Sequence, residues 1–283
     1  MKKSVVCAAV SLMGLMLFQL MTAVQAEDGA NNFPLLPKTP SVAHRGFSHV
    51  APENTLSAIQ EAIRIGAAGC EFDVYQTSDG EMFLNHDSSL KRVAGVDIAP
   101  DKITFEELRK LDAGAWKGEE FRGEKYPTLR EALELLKPTA TRPVIEIKAD
   151  GFEEKLVALV RELGMEKEVI FIDFSAARVK KFREIAPEIP TAWLVSFDKE
   201  TPTNEACETI EKTLASCGTN VVDMAFNKVS RELLDRLAGR GIHVMCWTVD
   251  HPADIARMID LGVESITSNR PDLVLQALAE RKR

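Results

Sequence analysis

Several common signatures are missing from this 283-residue chain. No spacing of cysteine and histidine matches a zinc site. No glycine-rich dinucleotide fingerprint follows the first strand-like run, and there is no low-complexity tract and no repeat of fixed period. The formal net charge of −8 argues against a nucleic-acid partner. Cysteine is sparse. Cys70 and Cys246 fall in strand-like runs and read as buried thiols, and Cys7 lies too early to be a lipoprotein cysteine. Cys207 and Cys217 flank a helical stretch. A continuous helix would hold them about 15 Å apart, so they can bridge only if the helix ends early and the chain turns back.

The N-terminus has the order of an export signal. Met1-Lys2-Lys3 precedes an apolar run from about Val5 to Val24, and Val24-Gln25-Ala26 offers small residues at a cleavage site before Glu27-Asp28. The run is nearly long enough to be a membrane anchor, but the cleavage site favours removal. The expectation is a signal peptide over 1–26, a proline-rich lead-in over 27–40 and a bacterial periplasmic destination, with no stable membrane insertion after cleavage.

From Ser41 onward, nine strand-like runs interleave with amphipathic helical stretches. Two of the runs, within the stretch Gly69–Asp87, flank Asp79-Gly80, a strong short-range hairpin signal. The second arm returns antiparallel and cannot be a parallel stave. Eight staves remain, which argues a single-domain (β/α)₈ barrel over 41–283, with an open doubly wound sheet as the runner-up. Residues 88–142 have irregular periodicity and too much length for an ordinary connection, so they read as an insertion without an obvious core of its own.

A two-residue turn at Asp79-Gly80 would set Asp73 opposite His86, with Glu71 on the same ribbon face. Acidic residues on a strand are usually solvated. Here Glu71 and Asp73 alternate with Cys70, Phe72 and Val74, and burying paired carboxylates without a cation is costly. In such barrels the site lies at the C-terminal strand ends. His44 and Arg45 end the first strand, Glu146 and Lys148 end the third, and Trp247-Thr248 end the strand at 242–248. Ser268-Asn269-Arg270 follow the last strand. Three carboxylates suit a hard divalent cation, Ca²⁺ or Mg²⁺, as a Lewis acid on phosphate. Arg45 and Lys148 suit the remaining phosphate charge, and two histidines suit a general acid and base. Trp247 reads as packing, or at most as a wall for substrate. His49, His243 and His251 read as structural or solvated.

His44-Arg45-Gly46, Pro52-Glu53-Asn54-Thr55, Glu71-Phe72-Asp73-Val74 with Asp79-Gly80, and His86-Asp87 together resemble the glycerophosphodiester phosphodiesterase family. Glu146-Ile147-Lys148, Trp247-Thr248-Val249 and Thr267-Ser268-Asn269-Arg270-Pro271 extend the likeness over nearly all of the chain after residue 40. The resemblance implies a barrel with a segment inserted over its mouth. It also implies a metal on Glu71, Asp73 and Glu146, catalysis by His44 and His86, phosphate contacts from Arg45 and Lys148, and support from Glu53 and Asn54. Asp173-Phe174-Ser175 stands where Ser-Phe is frequent in the family, and Asn269 where Asp is frequent. The implied reaction is hydrolysis of a glycerophosphodiester to glycerol 3-phosphate and an alcohol. A lysophospholipase D, with Phe105, Trp116 and Phe121 lining an apolar groove, and a non-catalytic phosphate-ester binder are the competing readings.

Overall fold

The computed structural model describes residues 40–281. The expected signal peptide and all but the last residue of the lead-in lie outside that range. Among the described residues nine strands form one sheet: β1 Ser41–Ala43, β2 Gly69–Gln76, β3 Met82–Leu84, β4 Arg142–Ile147, β5 Ile170–Asp173, β6 Thr191–Val195, β7 Val221–Ala225, β8 His243–Trp247 and β9 Ser265–Ser268. β1 pairs in parallel with both β2 and β9, and the parallel ladder runs on through β4 to β8. The staves therefore close into an eight-stranded parallel barrel, and β3 hangs antiparallel from the end of β2.

Helices α1 Leu56–Arg64, α2 Lys91–Ala94, α3 Phe105–Leu108, α4 Leu129–Leu136, α5 Glu153–Glu162 and α6 Ala176–Ile185 occupy the first two thirds. α7 Thr203–Cys217, α8 Arg231–Ala238, α9 Pro252–Leu261 and α10 Pro271–Arg281 complete the ring. α7 runs unbroken through Cys207 and Cys217, and both thiols are free and buried. The helix does not end early, so the condition for a bridge is not met.

Strand parity decides what each residue faces. In β4, Ile145 and Ile147 point out into the layer under the helices, while Val144 joins Val42, Ile170, Ala192, Val221 and Met245 inside the barrel. Glu146 shares Val144's parity and so points inward, as does Lys148. In β2, Cys70, Phe72 and Val74 pack outward, and Glu71 and Asp73 take the inner face. The barrel interior is filled with aliphatic side chains below and with charge above.

The hairpin differs from expectation by one residue. Val74 pairs with Leu84 and Tyr75 with Phe83. The turn is a three-residue loop: Gly80 N–H donates to Thr77 O (3.0 Å), Thr77 N–H donates to Glu81 O (2.9 Å), and Gly80 has φ +89°. Asp73 therefore faces Asn85, whose N–H donates to Asp73 O at 3.0 Å. Pairing stops at Leu84, and His86 reaches the barrel mouth from a loop rather than from the ribbon face. Asp79, the residue that suggested a tight turn, accepts from Thr77 Oγ1 and from Phe105 N–H and so ties the inserted segment to the hairpin.

That segment does have a small core. Leu90, Ile103, Leu108, Ala113 and Tyr126 are buried together against Phe83 of β3. α4, which also falls within 88–142, belongs to the barrel instead. Its Leu129, Ala132, Leu133 and Leu136 pack with Ile59 and Ala62 of α1, and a Thr128–Glu131 capping box starts it.

Gly46 fixes the first loop against α1. It has φ +78°, and a Cβ there would lie 2.6 Å from both the carbonyl carbon and the Cβ of Ala58. Gly46→Ala therefore combines a left-handed backbone with a collision against helix backbone. The expected loss is at least ~2 kcal/mol, read as a lower denaturation midpoint at unchanged slope. A loss below ~0.5 kcal/mol would show that the loop can move off the helix.

Candidate active site

Three backbone segments aim the site. Arg45 and Asn54 hold φ of 55° and 57°, an uncommon conformation for residues with side chains. Each is held by the other's loop: Asn54 N–H donates to Arg45 O at 3.0 Å. Arg45 N–H in turn donates to Glu71 Oε2 at 2.8 Å. The Asn54 amide clasps Asp73, with Nδ2 donating to Oδ2 (2.8 Å) and Oδ1 accepting from Asp73 N–H (3.1 Å). Arg45 Nη1 donates to Glu53 Oε1 at 2.9 Å, and its Nε lies 3.5 Å from Asp73 Oδ2. On the third side, Lys148 Nζ is 2.7 Å from Glu146 Oε1 and 3.4 Å from Asp73 Oδ1.

Glu71, Asp73 and Glu146 each present a carboxylate oxygen within 4.8 Å of the other two. Glu71 and Asp73 are almost fully buried. Burial, and after it the charge of Asp73, pushes the Glu146 carboxyl up to about 7; the same causes hold Glu71 well above the carboxylate range. Asp73 Oδ1 and Arg45 Nε are buried and lack a hydrogen-bond partner. All-oxygen donors, mutual repulsion and a buried carboxylate oxygen that accepts no hydrogen bond fit a hard divalent cation.

The two histidines have different anchors. His44 Nδ1 lies 2.7 Å from Asn269 Oδ1, and Asn269 Nδ2 donates to Asp250 Oδ2 at 2.7 Å. The Asp250 oxygens also accept from Ser268 Oγ and Asn269 N–H, so the Asn269 amide is oriented with Nδ2 toward Asp250 and His44 Nδ1 is the donor to Oδ1. Burial first, then the neighbouring Arg45 charge, drops the His44 pKa to about 4. The ring is therefore neutral at pH 7, and its 3.9 Å approach to Glu71 is not an ion pair. His86 Nδ1 contacts Asp87 Oδ1 at 2.7 Å. Arg92 of α2 binds Asp87 Oδ2 (2.6 Å) and both oxygens of Glu53 (2.7 and 3.0 Å), so it joins the His86 anchor to the Arg45 anchor. Its hydrogen bond is the main reason that Asp87 is held down to about 2.

His44, Arg45, Glu71, His86, Glu146, Lys148 and Trp247 line one pocket, with a cavity volume of about 120 Å³. Asp73, Glu53 and Asn54 stand behind that wall. All ten residues singled out in the sequence thus come together at the mouth or directly behind it. Sequence reasoning missed Asp87, Arg92 and Asp250, whose roles depend on contacts between distant loops. It also missed Asp223, buried inside β7, whose carboxyl burial pushes up to about 8. A single acid in Val221-Val222-Asp223-Met224, on the inward parity, was the available signal. Asp173 turns away to Arg178 and Ser175 N–H, and Phe174 takes the rim, edge-on to Trp247 at 5.6 Å. Trp247 Nε1 donates to Asp223 O at 3.1 Å, so the indole both packs and lines the pocket.

A barrel whose mouth carries three convergent carboxylates, two imidazoles and two cations is that of a phosphoric diester hydrolase. The model of the glycerophosphoryl diester phosphodiesterase family matches residues 44–273, and the chain belongs to that family. It is 33% identical over 243 residues to a glycerophosphodiester phosphodiesterase of Caldanaerobacter subterraneus, covering 84% of this chain and 97% of the relative. The structure is similar to that of a glycerophosphodiester phosphodiesterase from Agrobacterium tumefaciens (TM-score 0.73, 27% identity, 84% and 99% of the two chains). It is also similar to an Oleispira antarctica phosphodiesterase in complex with the product sn-glycerol-3-phosphate (TM-score 0.76, 26% identity, 86% and 97%).

The carboxylate trio has a signature independent of turnover. Folded Glu146 keeps its proton to about 7, against 4.5 for an ordinary glutamate. Between those values the unfolded chain binds fewer protons, so stability falls as pH rises through the window. Glu146→Gln should flatten that part of the profile. Above pH 7, saturating Ca²⁺ or Mg²⁺ should raise the melting midpoint of the chelated wild type by roughly 4–8 °C, and the variant's by much less. Midpoints indifferent to both ions would remove the trio as a cation site.

Proposed function

We propose that the protein hydrolyses glycerophosphodiesters to sn-glycerol 3-phosphate and an alcohol, with Glu71, Asp73 and Glu146 holding Ca²⁺ or Mg²⁺. The observation that carries this is the convergence of the trio, both histidines, Arg45 and Lys148 in one pocket of a chain of this family. The bound ion supplies Lewis acidity at a phosphate oxygen. Arg45 and Lys148 bind and orient the remaining phosphate charge.

We assign His44 as the base and His86 as the acid. His44 donates its Nδ1 proton to Asn269, so the Nε2 lone pair is left to take a proton from the nucleophile. His86, anchored through Nδ1 to Asp87, would as the imidazolium carry on Nε2 the proton that passes to the departing alkoxide, and the carboxylate of Asp87 pairs with that charged form. The P–O bond to the alcohol breaks as the new P–O bond forms, whether the nucleophile is water or the neighbouring glycerol hydroxyl. A small head group is favoured over a long acyl chain. Trp116, named for an apolar groove, is flanked by the Arg92 and Lys117 cations at 5.8 Å each and does not line the pocket. The export-like N-terminus supports a periplasmic site of action.

The deciding assay is release of glycerol 3-phosphate from glycerophosphocholine and glycerophosphoethanolamine after chelation, with each ion then restored. Activity should vanish on chelation and return with one ion or both. His44→Ala and His86→Ala should each lower turnover ~10²–10⁴-fold. Turnover near the wild-type rate in either variant would remove that histidine from the chemistry.

A further inference from the structure

We infer that Asp223 selects the glycerol end of the substrate, by hydrogen-bonding a glycerol hydroxyl on the floor of the pocket. The inference rests on the proposed reaction and names the group that reads its constant half.

The pocket has two unlike sides. Phosphate-binding charge sits on β1, β2 and β4, whereas Ile172, Leu194, Phe174 and Trp247 make an apolar wall opposite. β7 lies four staves from β2 in either direction round the barrel, so Asp223 faces the carboxylate side from directly across. It pairs in register with Leu194 and Met245 and is 1% exposed, whereas Phe174 at the rim is 47% exposed, so Asp223 is the deeper of the two. Its Oδ1 is buried without a hydrogen-bond partner although the residue lines the cavity.

A buried polar group left unpaired in the free protein is what a site for a hydroxyl requires. A glycerophosphodiester with its phosphate at Arg45 and Lys148 carries one substituent toward this wall. The closed floor suits the invariant glycerol, and the open rim suits the variable alcohol. Burial pushes the Asp223 carboxyl up to about 8, and in either protonation state its oxygens can accept from a hydroxyl. Ser265 Oγ, in register two strands along, is also unpaired, so an internal water serving both is the competing explanation.

Calorimetric binding to the Ca²⁺-loaded protein separates these. The probes are sn-glycerol 3-phosphate and ethyl phosphate, which has the same phosphate and no hydroxyl. Wild type should prefer glycerol 3-phosphate. Asp223→Leu should weaken glycerol 3-phosphate about tenfold and ethyl phosphate less than about twofold. Asp223→Ala provides the same comparison should the larger side chain prevent folding. Asp223→Asn, which can still donate and accept, should keep most of the preference. Equal weakening of both probes, no weakening of either, or no preference in wild type overturns the inference. Absence of glycerophosphodiester turnover, with the binding preference intact, would overturn the proposed reaction and leave this assignment standing.

Discussion

Three carboxylates crowded into the mouth of a barrel are the constraint around which the rest of the structure is arranged. Glu71, Asp73 and Glu146 repel one another in a setting that water hardly reaches, and each needs a compensating group. Arg45 N–H and the Asn54 amide hold Glu71 and Asp73 from one side, and Lys148 holds Glu146 from the other. Two residues accept left-handed backbone so that these donors can converge, and Gly46 lets their loop pack against a helix. The strained segment makes sense as the outer support of a cation site.

The same economy separates the histidines. His44 is backed by a neutral amide that is itself oriented by Asp250, and His86 by a carboxylate that Arg92 keeps ionised. Chemically identical rings thereby acquire distinct electrostatic settings. Asn269, unlike a carboxylate, backs His44 without placing a negative charge against the ring.

The inner placement of Glu71, Asp73, Glu146 and Lys148 was legible because strand parity is rigid and their neighbours, Cys70, Phe72, Ile145 and Ile147, are unmistakably core. The staves were legible for the same reason. Loop geometry was not. Asp79-Gly80 suggested two turn residues, but a Thr77–Glu81 closure makes three, and His86 arrived by a route other than the one expected. The satellite core was hidden because Phe83, Leu90, Ile103 and Tyr126 follow no period. Asp223 was hidden because one acid in an apolar strand does not announce which cavity it faces.

Arg92 gives the inserted segment a second character. The segment covers the hairpin with its own small core, yet this one side chain reaches out of it to grip Asp87 and Glu53 together. The cover is thus wired into the charge balance of the mouth. Exchanging it for the corresponding segment of another barrel would preserve the shape of the lid and cut an electrostatic strut. The segment's first helical turn is tethered to the chemistry beneath it.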